Sequence, residues 1–207
     1  NIMIELNFSK PIQEVLATLN QYQEDWITDI ANFVVQWHSK DPFLNIKTSG
    51  TTGKPKEIRV QKKWMTYSAS NTIQYFGLRE GQSALLALSP HFIAGKMMLV
   101  RAMVAQLNLW ICPPNDLSIL NNDIAIDFCP LVPLQAEKYF HHLYKIKHLL
   151  LGGAPVSKPL EVKLKQLPIT AYQSFAMTET LSHFAIRNIS ANEQFYKVFK
   201  TFGRVKN

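Results

Sequence analysis

The chain has few of the residues that define several large classes of protein. Only two of its 207 residues are cysteines, Cys112 and Cys129. Neither belongs to a Cys-x-x-Cys motif or a Cys/His cluster, which argues against a zinc site or a disulfide-stabilised scaffold. Its apolar runs are short, and Arg101 interrupts the one at residues 97–100, so the sequence predicts no membrane span, which needs about 18 apolar residues. The 8 glycines and 11 prolines do not form low-complexity tracts.

Concentrated basic stretches are also missing, although the formal net charge is +7. Most of the basic residues are scattered lysines, and Lys62 and Lys63 are the only adjacent pair. Nucleic-acid-binding proteins concentrate Lys and Arg on one face together with aromatic residues, so we expect no nucleic-acid partner. A solvated lysine surface is one interpretation of the charge, and an anionic small ligand is the other. No secretory signal peptide is visible, which together with the scarcity of cysteine predicts a reduced, cytoplasmic setting.

What the chain does contain is a globular composition, with 47% hydrophobic and 18% charged residues. Apolar residues at three- and four-residue steps predict a helix over residues 12–38, and further helices are predicted at 62–76, 94–106, 134–143 and 157–167. Short apolar segments between them predict strands at residues 43–47, 57–60, 83–88, 109–112, 124–129, 148–151, 170–174 and 183–189. This alternation is typical of a parallel α/β sheet. Because ligands bind at the carboxyl ends of such strands, we expect residues 48–56, 89–96, 152–155 and 174–179 along one rim.

The segment of residues 48–56, Thr-Ser-Gly-Thr-Thr-Gly-Lys-Pro-Lys, combines hydroxyl groups, glycines and lysines. Glycines allow close approach of the backbone to a ligand, and hydroxyls and lysines bind phosphate oxygens, so the segment has what a polyphosphate site needs. It is not a Walker A loop, because only two residues separate Gly50 from Gly53 and Pro55 disfavours helical geometry at Lys54. We therefore expect a loop between two strands of a hairpin; an ordinary polar turn is the alternative.

At this loop the sequence resembles the acyl-adenylate-forming enzymes, which include acyl- and aryl-CoA ligases, luciferases and peptide-synthetase adenylation domains. Two later segments agree in order and spacing. Residues 150–155, Leu-Leu-Gly-Gly-Ala-Pro, resemble the family's adenine-side strand and loop, and residues 174–180, Ser-Phe-Ala-Met-Thr-Glu-Thr, resemble its Tyr-Gly-x-Thr-Glu motif. The resemblance implies the α/β fold of the family's large N-terminal domain, with sheet layers flanked by helices.

The resemblance also implies a reaction. A carboxylate attacks the α-phosphate of ATP to form an acyl-adenylate, and the thiol of coenzyme A then attacks that intermediate, with Mg²⁺ as cofactor. Its catalytic residues are expected to be Lys56, Thr178, whose hydroxyl meets the α-phosphate, and Glu179, which holds Mg²⁺. The residues implied to bind ATP are Thr48, Ser49, Gly50, Thr51, Thr52, Gly53, Lys54, Gly152, Gly153, Ala154, Ser174, Phe175 and Thr178.

Two positions of the third motif depart from the family pattern. Phe175 stands where tyrosine is usual and keeps a ring that can stack on adenine, whereas Ala176 replaces a usual glycine and adds a methyl group. Alone, Thr178 and Glu179 could also be a helix-capping threonine followed by a first-turn glutamate.

Residues 89–96 occupy the place of the family's aromatic gate before a helix, with Phe92 as the aromatic residue. Residues 92–102 and 177–183 look most like the o-succinylbenzoate–CoA ligases of menaquinone synthesis, and the acyl pocket is predicted there. That substrate is an aromatic diacid, so one carboxylate reacts and the other needs a polar partner. The acyl-site residues are expected to be Phe92, Lys96, Arg101 and Ser182. Arg101 could instead pair with a carboxylate of the protein, and a histidine such as His183 is more often structural. Another aryl-CoA ligase, an adenylation domain that loads a carrier protein and a non-catalytic nucleotide-binding fragment remain alternatives.

Domain organisation follows from the same resemblance. Members of the family are longer and have two domains, so we expect residues 1–207 to be an incomplete AMP-binding large domain, without the small C-terminal domain, and inactive or weakly active alone. The sequence leaves the oligomeric state open.

Overall fold

The computed structural model describes residues 2–47, 57–114, 116–176 and 183–199. Within these ranges the helices are α1 (Ile12–Leu19), α2 (Asp25–His38), α3 (Lys62–Phe76), α4 (Ile93–Ala105), α5 (Pro133–Lys138) and α6 (Lys158–Leu164). The strands are β1 (Ile4–Asn7), β2 (Phe43–Lys47), β3 (Glu57–Gln61), β4 (Ser83–Leu86), β5 (Asn108–Ile111), β6 (Ile126–Leu131), β7 (Ile146–Leu151), β8 (Thr170–Ala176), β9 (His183–Asn188) and β10 (Lys197–Val198). Two 3₁₀ helices cover Ser118–Asn121 and Phe140–Lys145.

One large mixed sheet contains eight of these strands in the order β1-β5-β4-β6-β7-β8-β9-β10. The central run from β5 to β8 is parallel, as predicted, whereas β1, β9 and β10 pair antiparallel with their neighbours. The expectation of an all-parallel sheet is therefore wrong at the edges. For β9 the reason is the length of the connection, because residues 177–182 are too few for the crossover that a parallel partner of β8 would need.

Helices cover both faces of the sheet, which confirms the predicted α/β class. Successive residues of a strand point to opposite faces, and Ala84 and Leu86 of β4 belong to one hydrophobic core while Leu85 and Ala87 belong to the other. The first core packs against α1 to α4, and the second against α5, α6 and the 3₁₀ helices. Burial on both faces explains why the central strands are continuous apolar runs rather than alternating ones.

Two predicted helices are divided in the structure. The single helix expected over residues 12–38 is wrong: α1 ends at Leu19 and α2 begins at Asp25, so that Leu19 and Ile27 are both buried in one core. A straight helix over residues 12–38 would be about 40 Å long, and a single compact core could not bury one face of it along that whole length. The helix expected at residues 134–143 is likewise a short α5 followed by a 3₁₀ helix. Two helix ends have local caps that the sequence also indicates: Gly77 has φ +62° after α3, and the Ser157 hydroxyl accepts from the Leu160 N–H before α6.

A separate antiparallel hairpin contains β2 and β3. The strands pair from Phe43 with Gln61 to Lys47 with Glu57, which confirms the predicted hairpin around residues 48–56. Because β2 and β3 pair only with each other among the described residues, the expectation that this segment follows a strand of the parallel sheet is wrong. Residues 48–56 instead connect the two strands of a second, smaller sheet.

Within the described ranges, no helix combines the length and apolar character that crossing a bilayer requires. The longest of them, α3, has 15 residues.

Candidate nucleotide and acyl site

The carboxyl ends of three parallel strands bring three of the predicted segments to one edge of the sheet. Residues 89–92 follow β4 and lead into α4, Gly152 follows β7, and Ser174 lies near the end of β8. Since β4, β6, β7 and β8 are consecutive neighbours and run in the same direction, these segments share one rim. This is the edge at which parallel α/β sheets bind ligands.

The segment after β7 that is predicted to lie beside adenine packs against β6 and β8. The Gly152 N–H donates to the Leu131 carbonyl over 3.0 Å, and the Ser174 hydroxyl donates to the Leu151 carbonyl over 3.0 Å. A Cβ added to Gly152 would lie 2.6 Å from the Ser174 oxygen, and Gly153 has φ +80°. A side chain at position 152 would therefore collide with the Ser174 hydroxyl, and the left-handed backbone at position 153 favours glycine.

The predicted adenine-stacking ring lies at the same rim. Phe175 is 49% exposed, so one part of its ring is available to a ligand. The ring packs edge-on against Phe184 and Tyr196, with centroids 5.5 and 5.9 Å away. Ala154, in the loop after β7, is also exposed. These contacts hold Phe175 in place without covering it.

Many of the predicted site residues lie outside the described residues, and their placement stays a prediction: Thr48, Ser49, Gly50, Thr51, Thr52, Gly53, Lys54, Lys56, Thr178, Glu179 and Ser182. The described strand ends nevertheless bracket them. The first group connects the paired residues Lys47 and Glu57, and the second connects Ala176 of β8 to His183 of β9, which are paired as well.

The hairpin lies beside the loop that precedes α4. A cavity of about 190 Å³ is lined by Asn45 and Glu57 of the hairpin, by His91 and Lys96, and by α2. Glu57, which directly follows the segment of residues 48–56, thus lies close to Lys96 in the first turn of α4.

Lys96 fastens the loop before α4. Its Nζ donates to the Pro90 carbonyl over 2.6 Å and to the His91 carbonyl over 3.3 Å. Gly95 is necessary for the same packing, because a Cβ there would lie 2.2 Å from the Ser89 carbonyl oxygen. The loop ends at Phe92, which is 44% exposed at the start of α4.

Arg101 is buried in the middle of α4, with 3% of its surface exposed. Its Nη2 lies 3.5 Å from Nδ1 of His183, the first residue of β9. Burial lowers the pKa of Arg101 to about 10, which still leaves the guanidinium charged at neutral pH. The contact ties α4, which carries the predicted acyl-site residues, to the strand that follows residues 177–182.

The sequence model of the family described as AMP-binding enzyme matches residues 4–205, almost the whole chain. The chain belongs to the AMP-binding enzyme family. A curated member of this family, the 2-succinylbenzoate–CoA ligase of a Geobacillus species, is 28% identical over 162 residues, which cover 74% of this chain and 33% of that protein. The chain therefore spans about a third of the length of this relative.

Solved structures of AMP-binding enzymes share the fold. An AMP-forming acyl-CoA synthetase-like protein of Dyadobacter fermentans has a TM-score of 0.84 at 26% identity, covering 96% of this chain and 58% of that chain. The o-succinylbenzoate CoA synthetase of Bacillus subtilis, solved with its acyl-adenylate intermediate, has a TM-score of 0.64 at 24% identity, covering 70% and 31% of the two chains.

Two interactions of this AMP-binding domain have no local signal in the sequence. The Arg187 guanidinium donates to the Glu161 carboxylate and to Gln173 Oε1, joining α6, β8 and β9. The contact between Arg101 and His183 is the other. The partners are 26 and 82 residues apart, so neither helical nor strand periodicity could have indicated them.

No group of three or more His, Cys, Asp or Glu side chains within the described ranges is arranged to hold a metal ion. The predicted metal ligand, Glu179, lies outside those ranges. A magnesium ion bound together with nucleotide phosphates needs only one or two protein carboxylates, so a single glutamate fits that chemistry.

Proposed function

We propose that the protein activates an aryl carboxylic acid with ATP and transfers the acyl group to the thiol of coenzyme A. The acid's carboxylate attacks the α-phosphate, the bond to pyrophosphate breaks, and the resulting acyl-adenylate is attacked by the thiol with loss of AMP. One observation carries the proposal: the carboxyl ends of β4, β7 and β8 share one rim, and Asn45 and Glu57 of the β2–β3 hairpin lie beside the loop that follows β4.

The nucleotide would lie along this rim. Adenine would stack on the exposed ring of Phe175 and approach the backbone at Gly152 and Gly153, where side chains are excluded. The β- and γ-phosphates would bind the hydroxyls, glycines and lysines of residues 48–56. Because charge develops on phosphate oxygens in the transition state, positioned donors of this kind supply most of the catalysis.

Thr178 and Glu179 would act at the α-phosphate. The threonine hydroxyl would donate to an α-phosphate oxygen, and the Glu179 carboxylate would hold Mg²⁺. The metal supplies positive charge that neutralises the phosphates. The antiparallel pairing of β8 with β9 supports this placement, because it fixes both ends of residues 177–182 at the ligand-binding edge.

The acid would be o-succinylbenzoate or a related aromatic diacid. Arg101 supports this assignment, because a buried guanidinium on the helix after the predicted gate residue Phe92 can meet a second carboxylate of the substrate. Curated relatives named 2-succinylbenzoate–CoA ligase agree with an aryl acid. We further propose that residues 1–207 belong to the large, AMP-binding domain of such an enzyme.

Equilibrium binding to the chain tests the proposal. Two non-hydrolysable acyl-adenylate analogues serve as probes: the diacid probe carries o-succinylbenzoate, and the monoacid probe is the same compound without the free carboxylate. Millimolar Mg-ATP should raise the melting temperature, and the diacid probe should raise it further because it fills both pockets. Glu179→Ala should reduce the effect of Mg-ATP, whereas Glu14→Ala, on the exposed face of α1, should not. The absence of any shift with Mg-ATP would contradict a nucleotide site.

A further inference from the structure

Three side chains from three elements meet beneath the acyl site. Arg101 of α4, His183 of β9 and Thr72 of α3 are all buried. The Arg101 Nη2 lies 3.5 Å from His183 Nδ1, and the other ring nitrogen, Nε2, lies 3.2 Å from the Thr72 hydroxyl oxygen. The Thr72 hydroxyl also lies 3.2 Å from the Ser68 carbonyl, one turn earlier in α3. The imidazole therefore bridges the guanidinium to a helix backbone.

The chemistry of these groups fixes the direction of each hydrogen bond. A guanidinium only donates, so Nδ1 of His183 must be the acceptor and carries no proton. The proton of the neutral ring is then on Nε2, where it is donated to the Thr72 oxygen. Thr72 in turn donates its own proton to the Ser68 carbonyl, which only accepts. One tautomer of His183 satisfies all three contacts at once, and the alternative tautomer would direct an N–H at the guanidinium.

The surroundings keep the ring in this neutral form. Burial, and after it the charge of Arg101, holds the pKa of His183 well below its usual value. The ring of Phe199 packs against the imidazole with centroids 5.4 Å apart and covers it further. A neutral acceptor can orient a neighbouring cation without neutralising it, whereas a carboxylate at the same place would compete with a substrate carboxylate for it.

We propose that His183 is a positioning residue that, together with Thr72, orients Arg101 toward the second carboxylate of the acid. This inference rests on the proposed function, in which Arg101 is the partner of that carboxylate. His183 need not touch the substrate. Its contribution is to hold the donor fork of Arg101 in the orientation that the ligand meets, so that less ordering is required on binding.

Nitrogen-15 NMR of the histidine side chains tests the geometry directly and does not depend on activity. The His183 ring should be the neutral tautomer with its proton on Nε2, and it should stay neutral through pH 6–8. A proton on Nδ1, or an imidazolium in this range, would overturn the inference, because neither could accept from Arg101.

Binding of the two probes tests the role. His183→Leu removes both hydrogen bonds and should weaken binding of the diacid probe roughly 10-fold, while the affinity for the monoacid probe changes little. His183→Asn keeps an oxygen acceptor near the position of Nδ1 and should recover most of the loss. Thr72→Val should give a smaller loss of the same kind, and Thr66→Val, which removes a similar hydroxyl-to-backbone bond in α3, should give none.

Arg101→Met in the same assay separates the two levels of the argument. One outcome is that Arg101→Met weakens binding of the diacid probe alone while His183→Leu weakens binding of both probes equally. In that case the inference about His183 is wrong and the proposed function stands. If Arg101→Met does not discriminate, the assignment of a diacid is wrong, and the tautomer measurement still reports on the geometry.

Discussion

Two arginines on opposite faces of the large sheet, the buried Arg101 and the partly exposed Arg187, are held in different ways. Arg187 of β9 donates to the Glu161 carboxylate and to Gln173, whereas Arg101 of α4 donates to the neutral imidazole of His183. Burial alone would lower the pKa of Arg187, but hydrogen bonds and charge from Glu161 and Tyr196 together outweigh burial, and the pKa is raised. The pKa of Arg101 is instead lowered to about 10 by burial.

We infer from this difference that Arg187 is a structural cation, whereas in the proposed function Arg101 binds a ligand. The environment of Arg187 favours its charge, since the fold supplies a carboxylate for it. Burial disfavours the charge of Arg101, so in the proposed function a carboxylate of the substrate would stabilise that charge. We therefore expect changes around Arg187 to alter the free energy of unfolding, and changes at Arg101 to alter which acid is bound.

The largest effect is expected for Glu161→Gln. Removing one partner of a buried ion pair leaves the other charge uncompensated and costs about 3 kcal/mol at the lower end of the known range. The melting temperature should fall by roughly 6–12 °C. The ratio of dissociation constants for the diacid and monoacid probes should stay unchanged, and calorimetry measures both quantities.

Glu14→Gln is the matched control, because it removes a carboxylate that is exposed on α1. Its melting temperature should differ little from that of the unmodified chain. If Glu161→Gln changed the probe ratio without destabilising the fold, the contrast between the two arginines would be reversed.

The next effect concerns Arg101→Met. Losing a charge-assisted hydrogen bond to a partly buried carboxylate should cost about 1.5–3 kcal/mol, so the diacid probe should bind about 10- to 150-fold more weakly. The monoacid probe and Mg-ATP should bind almost as before, because neither contacts the guanidinium. Equal weakening of both probes, with a lower melting temperature, would instead make Arg101 a structural residue like Arg187.

The stabilisation that the ion pair between Arg187 and Glu161 gives to the fold should decrease at acid pH, as Glu161 becomes protonated. Burial would raise the pKa of the Glu161 carboxyl, but the hydrogen bond and charge of Arg187, with a smaller contribution from Lys158, together outweigh burial and hold the pKa below the usual 4.5. A carboxyl with a lowered pKa in the folded state stabilises the fold above its unfolded pKa, and this stabilisation is lost as pH falls through the folded value. The stability difference between the unmodified chain and Glu161→Gln should therefore be constant above about pH 5 and shrink below pH 4.5. Urea unfolding at a series of pH values measures it, and a difference that grew in acid would contradict the pairing.

Sequence patterns predict those parts of this fold that depend on local chemistry. Gly77 and Ser157 mark helix ends because a left-handed residue and a capping hydroxyl act within one turn, and the rim segments are recognisable by their glycines. Local patterns cannot predict that α1 and α2 are separate helices, since both carry the same apolar periodicity and only the shared core decides where the chain turns.

The candidate site likewise contains residues that the sequence indicates and residues that it does not. Its adenine-side glycines and the buried Arg101 stand out in the sequence because each is unusual among its neighbours. The partner of Arg101 does not, since His183 comes close to it only through the pairing of β9 with β8. Lys96 is the opposite case. Its position beside the predicted gate suggests that it binds the acid, but this depends on where its ammonium group lies, which the sequence does not reveal.

The smallest effect on acid selection is accordingly expected for Lys96→Met. The sequence suggests Lys96 as a partner for the second carboxylate, but its Nζ donates to the Pro90 and His91 carbonyls and lies 5.5 Å from the centroid of the Phe33 ring. The substitution should loosen the loop before Phe92 and weaken both probes alike, so that their ratio changes by no more than about 2-fold, or about 0.5 kcal/mol. Lys63→Met, which removes an exposed lysine from α3, is the control for the loss of one surface charge. If Lys96→Met weakened binding of only the diacid probe by 10-fold or more, Lys96 would be the partner of the second carboxylate. The orientation of Arg101 by His183 would then have no role in binding the acid.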